Sequence, residues 1–354
     1  MFSIKSNTVN GLSLEAFKLL SKSGDKTTSD KGTVIETRRV TSEMTDPTQR
    51  YLYLKGRHNS IYAAIAETLW VMSGTDIIDG WLTRFLHRAP LYSDDGHTWY
   101  RAYGKMLYQN NQFAGVLKYL QDSIQSRQAV LSIYDPAAES YDSVVNALGH
   151  PNAKDKSCNN LMYFSTDSSR TKLDLHICNR SNDVLFGAYS INLFEFTFIQ
   201  EIVASILSLE LGIYSVYHNN LHVYMDTQAT GKQFYDVLEA DQTENCYHIP
   251  SHVKMDLGNV LSYSGSAESK LDMDKTTIKL RALFKDIIFA LESGEGNVYF
   301  CLDNYGIGKN TKLYHYSSLL DSYMYNTPLD ITNMDGALKQ AVISSKFTKF
   351  QLAY

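Results

Sequence analysis

The chain has 354 residues, 44% of them hydrophobic and 20% charged, with a formal net charge of −5. That length can bury a full core in one large domain or two ordinary ones, and the mildly acidic balance without a long basic run argues against nucleic-acid binding while allowing a local basic pocket for one small anion. Cys158, Cys178, Cys246 and Cys301 are too scattered for a disulfide framework or a paired zinc motif, no apolar run is long enough to span a bilayer, and the N-terminus lacks a leader pattern; a cytoplasmic protein without membrane association is expected.

Leu12 to Lys22 places Leu14, Phe17 and Leu20 at helical spacing and stops at Gly24, so a helix is predicted there, followed by a polar loop from Asp25 to Lys31. Thr33 to Tyr53 is rich in β-branched residues interrupted by Asp46-Pro47, which predicts two short strands around a turn. Asn59 to Met72 reads as a helix with Ile61, Ile65, Leu69 and Met72 on one stripe and Gly74 as its stop. Glu67 falls off that stripe, and periodicity alone makes it a solvated residue. From Asp76 to Gly104 the chain is rich in aromatics, His and Arg, with a turn at Ser93-Asp94-Asp95-Gly96, as suits a loop lining a ligand pocket. His87 and His97 lack a second pair at ligand spacing, so no metal site is expected. A helix follows over Phe113 to Gln125, then a buried strand from Ala129 to Tyr134 closed by Asp135-Pro136.

The next segment organises the candidate chemistry. Leu161-Met162-Tyr163-Phe164 is an apolar run, and beyond a turn over Ser165 to Arg170, Leu173, Leu175 and Ile177 alternate with Lys172, Asp174 and His176 as in a half-buried strand. Antiparallel pairing of the two would set Cys158 beside Arg180, and a guanidinium next to a thiol favours the nucleophilic thiolate. Asn192 to Leu211 is strongly apolar up to Gly212 and predicts the central buried helix. Tyr214, Tyr217, His222 and Tyr224 then fall on a strand, and much later Leu280, Leu283, Phe284, Ile287, Ile288 and Leu291 mark an amphipathic helix stopped by Ser293-Gly294, after a polar stretch from Ser262 to Lys275.

Several blocks occur in one order: Ile65-Ala66-Glu67-Thr68-Leu69-Trp70, Tyr103-Gly104-Lys105, Ser126-Arg127, Cys158-Asn159-Asn160, Arg180-Ser181-Asn182-Asp183-Val184 with Gly187, and Leu221-His222-Val223-Tyr224. Together they resemble the thymidylate synthase and deoxycytidylate hydroxymethylase family over roughly Lys31 to Tyr224. The resemblance implies an α/β fold with a large bent mixed sheet packed by helices and a homodimer formed through a sheet face. It further implies an N-terminal helix and loop over 1–30, a family-like core over 31–224, and a segment over 225–354 that completes the core and extends it.

The resemblance also implies a reaction. Cys158 would add to carbon 6 of a pyrimidine nucleoside monophosphate, and the activated carbon 5 would take a one-carbon unit from 5,10-methylenetetrahydrofolate. Glu67 would order water and relay protons and Tyr103 would support proton removal; Arg180, Ser181, Lys31 and an Arg127 from the partner subunit would hold the phosphate. His222 and Tyr224 would bind the sugar, Asn192 the base, and Asp183 and Gly187 the folate. Asn159 stands where thymidylate synthases carry His after the cysteine, Gln128 replaces the second phosphate arginine, and no Trp-bearing shield is recognisable between Asp76 and Thr98. These departures favour hydroxymethylation over thymidylate synthase-type methylation, with a non-catalytic nucleotide sensor as a third reading. An amide at Asn192, after one inserted residue beyond Gly187, suits uracil better than cytosine.

Overall fold

In the computed structural model, which describes residues 1–29, 32–226, 228–261 and 270–353, the frame is a mixed sheet. Its strands are Phe2–Ser6 (β1), Asp25–Ser29 (β2), Gly32–Met44 (β3), Val130–Ser132 (β4), Asn159–Thr166 (β5), Lys172–Asn179 (β6), Asn182–Asp183 (β7) and Glu210–Tyr224 (β8). Among the described residues these eight run in the order β1-β3-β8-β6-β5-β4, with β2 added to β3 and β7 to β8. β3 and β8 are antiparallel, with Val34 opposite Tyr224 and Val40 opposite His218; β8 and β6 are parallel, and the β5–β6 hairpin is antiparallel. Along β8, Gly212, Tyr214, Val216 and His218 are buried while the residues between them are not, the period-two pattern of a sheet with one covered face.

Three of the helices that contribute to the core are Ile61–Ser73 (α1), Asn192–Ile206 (α2) and Met273–Ser293 (α3). α1 packs against both α2 and α3. Ser60 caps α1 by accepting from the Ala63 amide, and Gly74 ends it in the left-handed region at φ 71°. All thirteen of its residues are buried, Glu67 included, so the apolar stripe read from the sequence is part of a helix surrounded on every side. In α3, Leu280, Leu283, Phe284, Ile287 and Leu291 are buried as their spacing predicts.

Four expectations need correction. Asp25–Ser29 is a strand, not a loop, because the polar residues pair at the edge with Gly32 to Glu36. Thr33 to Tyr53 forms one thirteen-residue strand that ends at Met44; beyond the turn at Asp46-Pro47 the chain is buried but irregular. The strand predicted over Ala129 to Tyr134 shrinks to Val130–Ser132 at the sheet edge. The long helix predicted up to Leu211 stops at Ile206, where Ser208 takes φ 56° and turns the chain into β8. Gly212 is therefore not a helix stop: a Cβ there would sit 2.0 Å from Asp174 Oδ1 and 3.0 Å from the Leu173 carbonyl oxygen, so it serves the close approach of β6 and β8. The aromatic segment after Asp76 also contains a short helix, Trp81–Phe85, in which the buried Trp81 donates through Nε1 to the Ala66 carbonyl of α1 at 2.9 Å.

Candidate functional site

The hairpin does what its symmetry predicts for the backbone. Asn159 pairs with Asn179, and the Arg180 amide donates to the Cys158 carbonyl at 2.9 Å, so Cys158 and Arg180 leave the sheet side by side. A bulge between Asn159 and Leu161 re-aims the chain just after the thiol. The Arg180 guanidinium donates from Nε to Ser157 O (3.0 Å) and from Nη2 to Lys156 O (3.1 Å), which clamps it across the loop leading to Cys158. Next, β7 pairs parallel with β8 so that Asp183 faces His222 and Asn182 faces Leu221; this register brings the Arg-Ser-Asn-Asp and Leu-His-Val-Tyr blocks together.

Gly187–Ile191 then forms a π turn that leads into α2 at Asn192. A π turn holds one residue more than an α turn over the same length of helix axis. The turn packs tightly: a Cβ on Gly187 would lie 2.3 Å from Asn182 Oδ1 and 2.5 Å from Asn192 Oδ1. Both amides thus close over a backbone that only glycine allows.

A pocket of about 440 Å³ is lined by Cys158, Tyr103, Arg180, Ser181, Asp183, Gly187, Asn192, His222 and Tyr224, together with Ser29, Lys154, Lys156, Asn182 and Phe186. Nine of the twelve residues singled out in the sequence therefore meet there. Glu67 does not line it; it is buried on α1. Arg127 is exposed in the segment before β4, away from this pocket, and Lys31 lies outside the described residues.

Each lining group is held in a definite state. The Tyr103 hydroxyl accepts from Asn159 Nδ2 at 3.0 Å, and burial raises its pKa well above the ordinary phenol value, so it is a neutral donor. Asn159, buried next to the thiol, is thus an orienter that the sequence marked only as a departure. Asn220 Oδ1 accepts from His222 Nδ1 at 2.8 Å and its amide donates to Glu36 Oε2 at 2.7 Å, which selects the His222 tautomer. Asp183 Oδ1 accepts from the amides of Leu185 (2.5 Å) and Phe186 (3.2 Å); burial pushes its pKa up to about 6, against the nearby Arg57.

Under the pocket, Asn192 Nδ2 donates to Glu195 Oε2 at 3.4 Å. Burial raises the pKa of Glu195 to about 8, and burial together with Glu195 and Asp155 raises that of Glu67 well above the carboxylate range. Sequence reasoning missed Glu195, although a lone carboxylate inside the apolar run Leu193 to Ile199 was a usable signal. It also missed Lys154 and Lys156, whose charge just ahead of Cys158 pointed to an anion. Across Phe186 lies a second cavity of about 970 Å³, walled by Phe85, Tyr92, Tyr323, Phe347 and Phe350 and edged by Arg84, Arg88 and Lys349. No helix among the described residues is long and apolar enough to cross a membrane.

Comparison with known proteins agrees with this geometry. The family model described as thymidylate synthase matches residues 18–256. A deoxyuridylate hydroxymethyltransferase of Delftia phage PhiW-14 is 39% identical over 207 residues, covering 58% of this chain and 57% of the relative. One from Bacillus phage SP01 is 31% identical over 239 residues, covering 64% and 60%. The chain thus spans less than two thirds of the length of these curated relatives. Among solved structures, thymidylate synthase from T4 phage superposes with a TM-score of 0.55 at 17% identity, over 76% of this chain and 91% of that one, which establishes a shared fold.

Proposed function

The chain belongs to the thymidylate synthase family, and on that premise we propose that it transfers a one-carbon unit from 5,10-methylenetetrahydrofolate to carbon 5 of a pyrimidine nucleoside monophosphate, deoxyuridylate by preference, and releases a hydroxymethyl product. The observation that carries this reading is the convergence of a thiol, a neutral phenol, an amide and basic side chains on one pocket. The relatives named deoxyuridylate hydroxymethyltransferase support the substrate and product.

Cys158 adds to carbon 6, and the displaced electron pair makes carbon 5 nucleophilic. The folate supplies a carbon at the formaldehyde oxidation level. Asn192 reads the base edge, with Oδ1 accepting from the imide N–H and Nδ2 donating to the neighbouring carbonyl oxygen. Tyr103 supports removal of the carbon 5 proton as a neutral, oriented hydroxyl, with Glu67 as the proton relay behind it. Arg180, Ser181 and Lys156 receive the phosphate, helped by Lys31 and by Arg127 from the partner of a homodimer; His222 and Tyr224 hold the sugar. A folate fits the remaining space. Asp183 Oδ2 is buried without a full hydrogen bond among the described residues and can accept from a pterin, while the aromatic cavity across Phe186 matches flat rings and its basic edge a glutamate carboxylate.

The test uses deoxyuridylate tritiated at carbon 5. Wild-type protein with methylenetetrahydrofolate is expected to release tritium and return tetrahydrofolate, and Cys158→Ala to release none. Dihydrofolate formed in step with a methylated nucleotide would refute hydroxymethylation. Nucleotide binding without any tritium release would replace the enzyme by the sensor reading.

A further inference from the structure

Two buried carboxyl groups stand outside the lining of the nucleotide pocket, and only one of them has a role so far. Glu67 on α1 and Glu195 on α2 are 8% and 1% exposed. Each keeps one oxygen, Glu67 Oε2 and Glu195 Oε1, buried without a hydrogen-bond partner among the described residues. The other Glu195 oxygen accepts from Asn192, which lines the pocket. Two like charges cannot both be buried unpaired; a shared proton removes the repulsion and satisfies an oxygen. Among the described residues, no cation acts on either carboxyl group. The groups that act on the pair are Asp155 from the loop before Cys158, Tyr103 from the helix Tyr103–Tyr108 and Tyr214 from β8, all acidic or neutral.

We propose that Glu195 is the proton partner of Glu67: the two carboxyl groups hold one proton between them and work as a single acid–base unit that Asn192 links to the pyrimidine. This deepens the hydroxymethyl transfer proposed above and rests on it for its chemical half. Once carbon 5 bears an exocyclic methylene, a water oxygen bonds to that methylene carbon. The carbon–carbon π pair moves onto the ring as an enolate, and the water proton passes to the ionised carboxylate of the pair. Collapse of the enolate restores the ring carbonyl, re-forms the double bond between carbons 5 and 6 and breaks the carbon 6–sulfur bond to expel Cys158 as thiolate, while the second carboxyl keeps its proton throughout. Glu195 is a positioning residue here: by holding a proton beside Glu67 it leaves one carboxylate ionised and not two, and it fixes the amide that reads the base.

Infrared difference titration of the free protein tests the shared proton without requiring turnover. A buried protonated carboxyl is expected at pH 7 that ionises only above neutrality. In Glu195→Gln, and separately in Glu67→Gln, the surviving carboxyl is expected to ionise at lower pH by one unit or more. Independent titration, unmoved by removal of the partner, overturns the proposal, as does the lack of any protonated buried carboxyl at pH 7; the second variant covers a failure of the first to fold. Tritium release and hydroxymethyl formation then test the chemical half. Wild-type kcat is expected to fall on the alkaline side with the same titration, and Glu195→Gln to lose that limb while its nucleotide Kd changes less than about threefold. A pH profile identical to wild type overturns the role in turnover. If wild-type protein releases no tritium, it is the folate-dependent reading that fails, and the infrared titration still decides whether the pair shares a proton.

Discussion

In the proposed reaction, base selectivity turns on how Asn192 is held. Its Oδ1 packs where a Gly187 Cβ would be, and its Nδ2 reaches Glu195, so the amide has little freedom to turn over. Gly187→Ala must push aside Asn182 and Asn192, and a tenfold or greater rise in nucleotide Kd is expected by calorimetry, equivalent to about 1.4 kcal/mol. An unchanged Kd would mean the two amides do not contact the nucleotide. Asn192→Asp is a sharper probe. It places a third carboxyl beside Glu195 and Glu67, where repulsion raises its pKa and keeps it protonated. A neutral carboxylic acid donates to one ring position and accepts at the next, which suits cytosine N3 and its amino group. The expected outcome is a shift of kcat/KM toward cytidylate, strongest at acidic pH; a preference unchanged across pH would remove Asn192 from base selection.

At the scale of elements, the strongly periodic pieces were legible and the ones set by neighbours were not. The β5–β6 hairpin, α1 and α3 could be read because one face or the whole surface is apolar at a fixed period. The end of α2 could not. Leu207, Leu209 and Leu211 continue an apolar run that suits a helix or a strand, and only the register with β6 decides between them. The site was legible through short blocks: seven of the nine residues sit on or beside the strands and turns from β5 to β8, and Tyr103 and Asn192 each open a helix. Glu195 and Lys156 left a charge signal in the sequence, but the link of Glu195 to Glu67 on α1 needed the fold. Gly212→Ala separates the two readings of that glycine. A helix stop in ordinary backbone would tolerate alanine within about 1 kcal/mol, whereas a strand position 2.0 Å from Asp174 Oδ1 breaks the bond from the Ile213 amide to Asp174, 2.6 Å long. Urea unfolding is expected to show a loss of about 1–3 kcal/mol; a smaller effect would count against the close strand contact.

For the whole molecule, the site sets the pH dependence of folding. Glu195 has an ordinary pKa of 4.5 and about 8 in the folded chain, so between those values the folded state holds a proton that the unfolded state has lost. Stability therefore falls as pH rises through that window. Asp155 and Asp183, raised by burial to about 6, act in the same direction over a lower range. Acid works against the fold through His218, which is buried among Ser42 Oγ (3.0 Å) and Asn179 Nδ2 (3.0 Å) and depressed by burial from 6.5 to about 3. The unfolded chain takes up that proton first, so stability rises with pH between about 3 and 6.5. The two windows oppose each other below about 6.5, and above it only the carboxyl window remains, so stability falls with pH there. Calorimetry at constant ionic strength is expected to show the melting temperature falling from pH 6 to pH 9 in the wild type. In Glu195→Gln the fall should be much shallower, because the glutamine has no proton to lose; the variant would then be more stable than wild type at pH 9, the result expected where function keeps an ionisable group buried against the interest of the fold. Parallel curves for the two proteins would show that Glu195 ionises as an ordinary carboxylate and is no drain on the folded state.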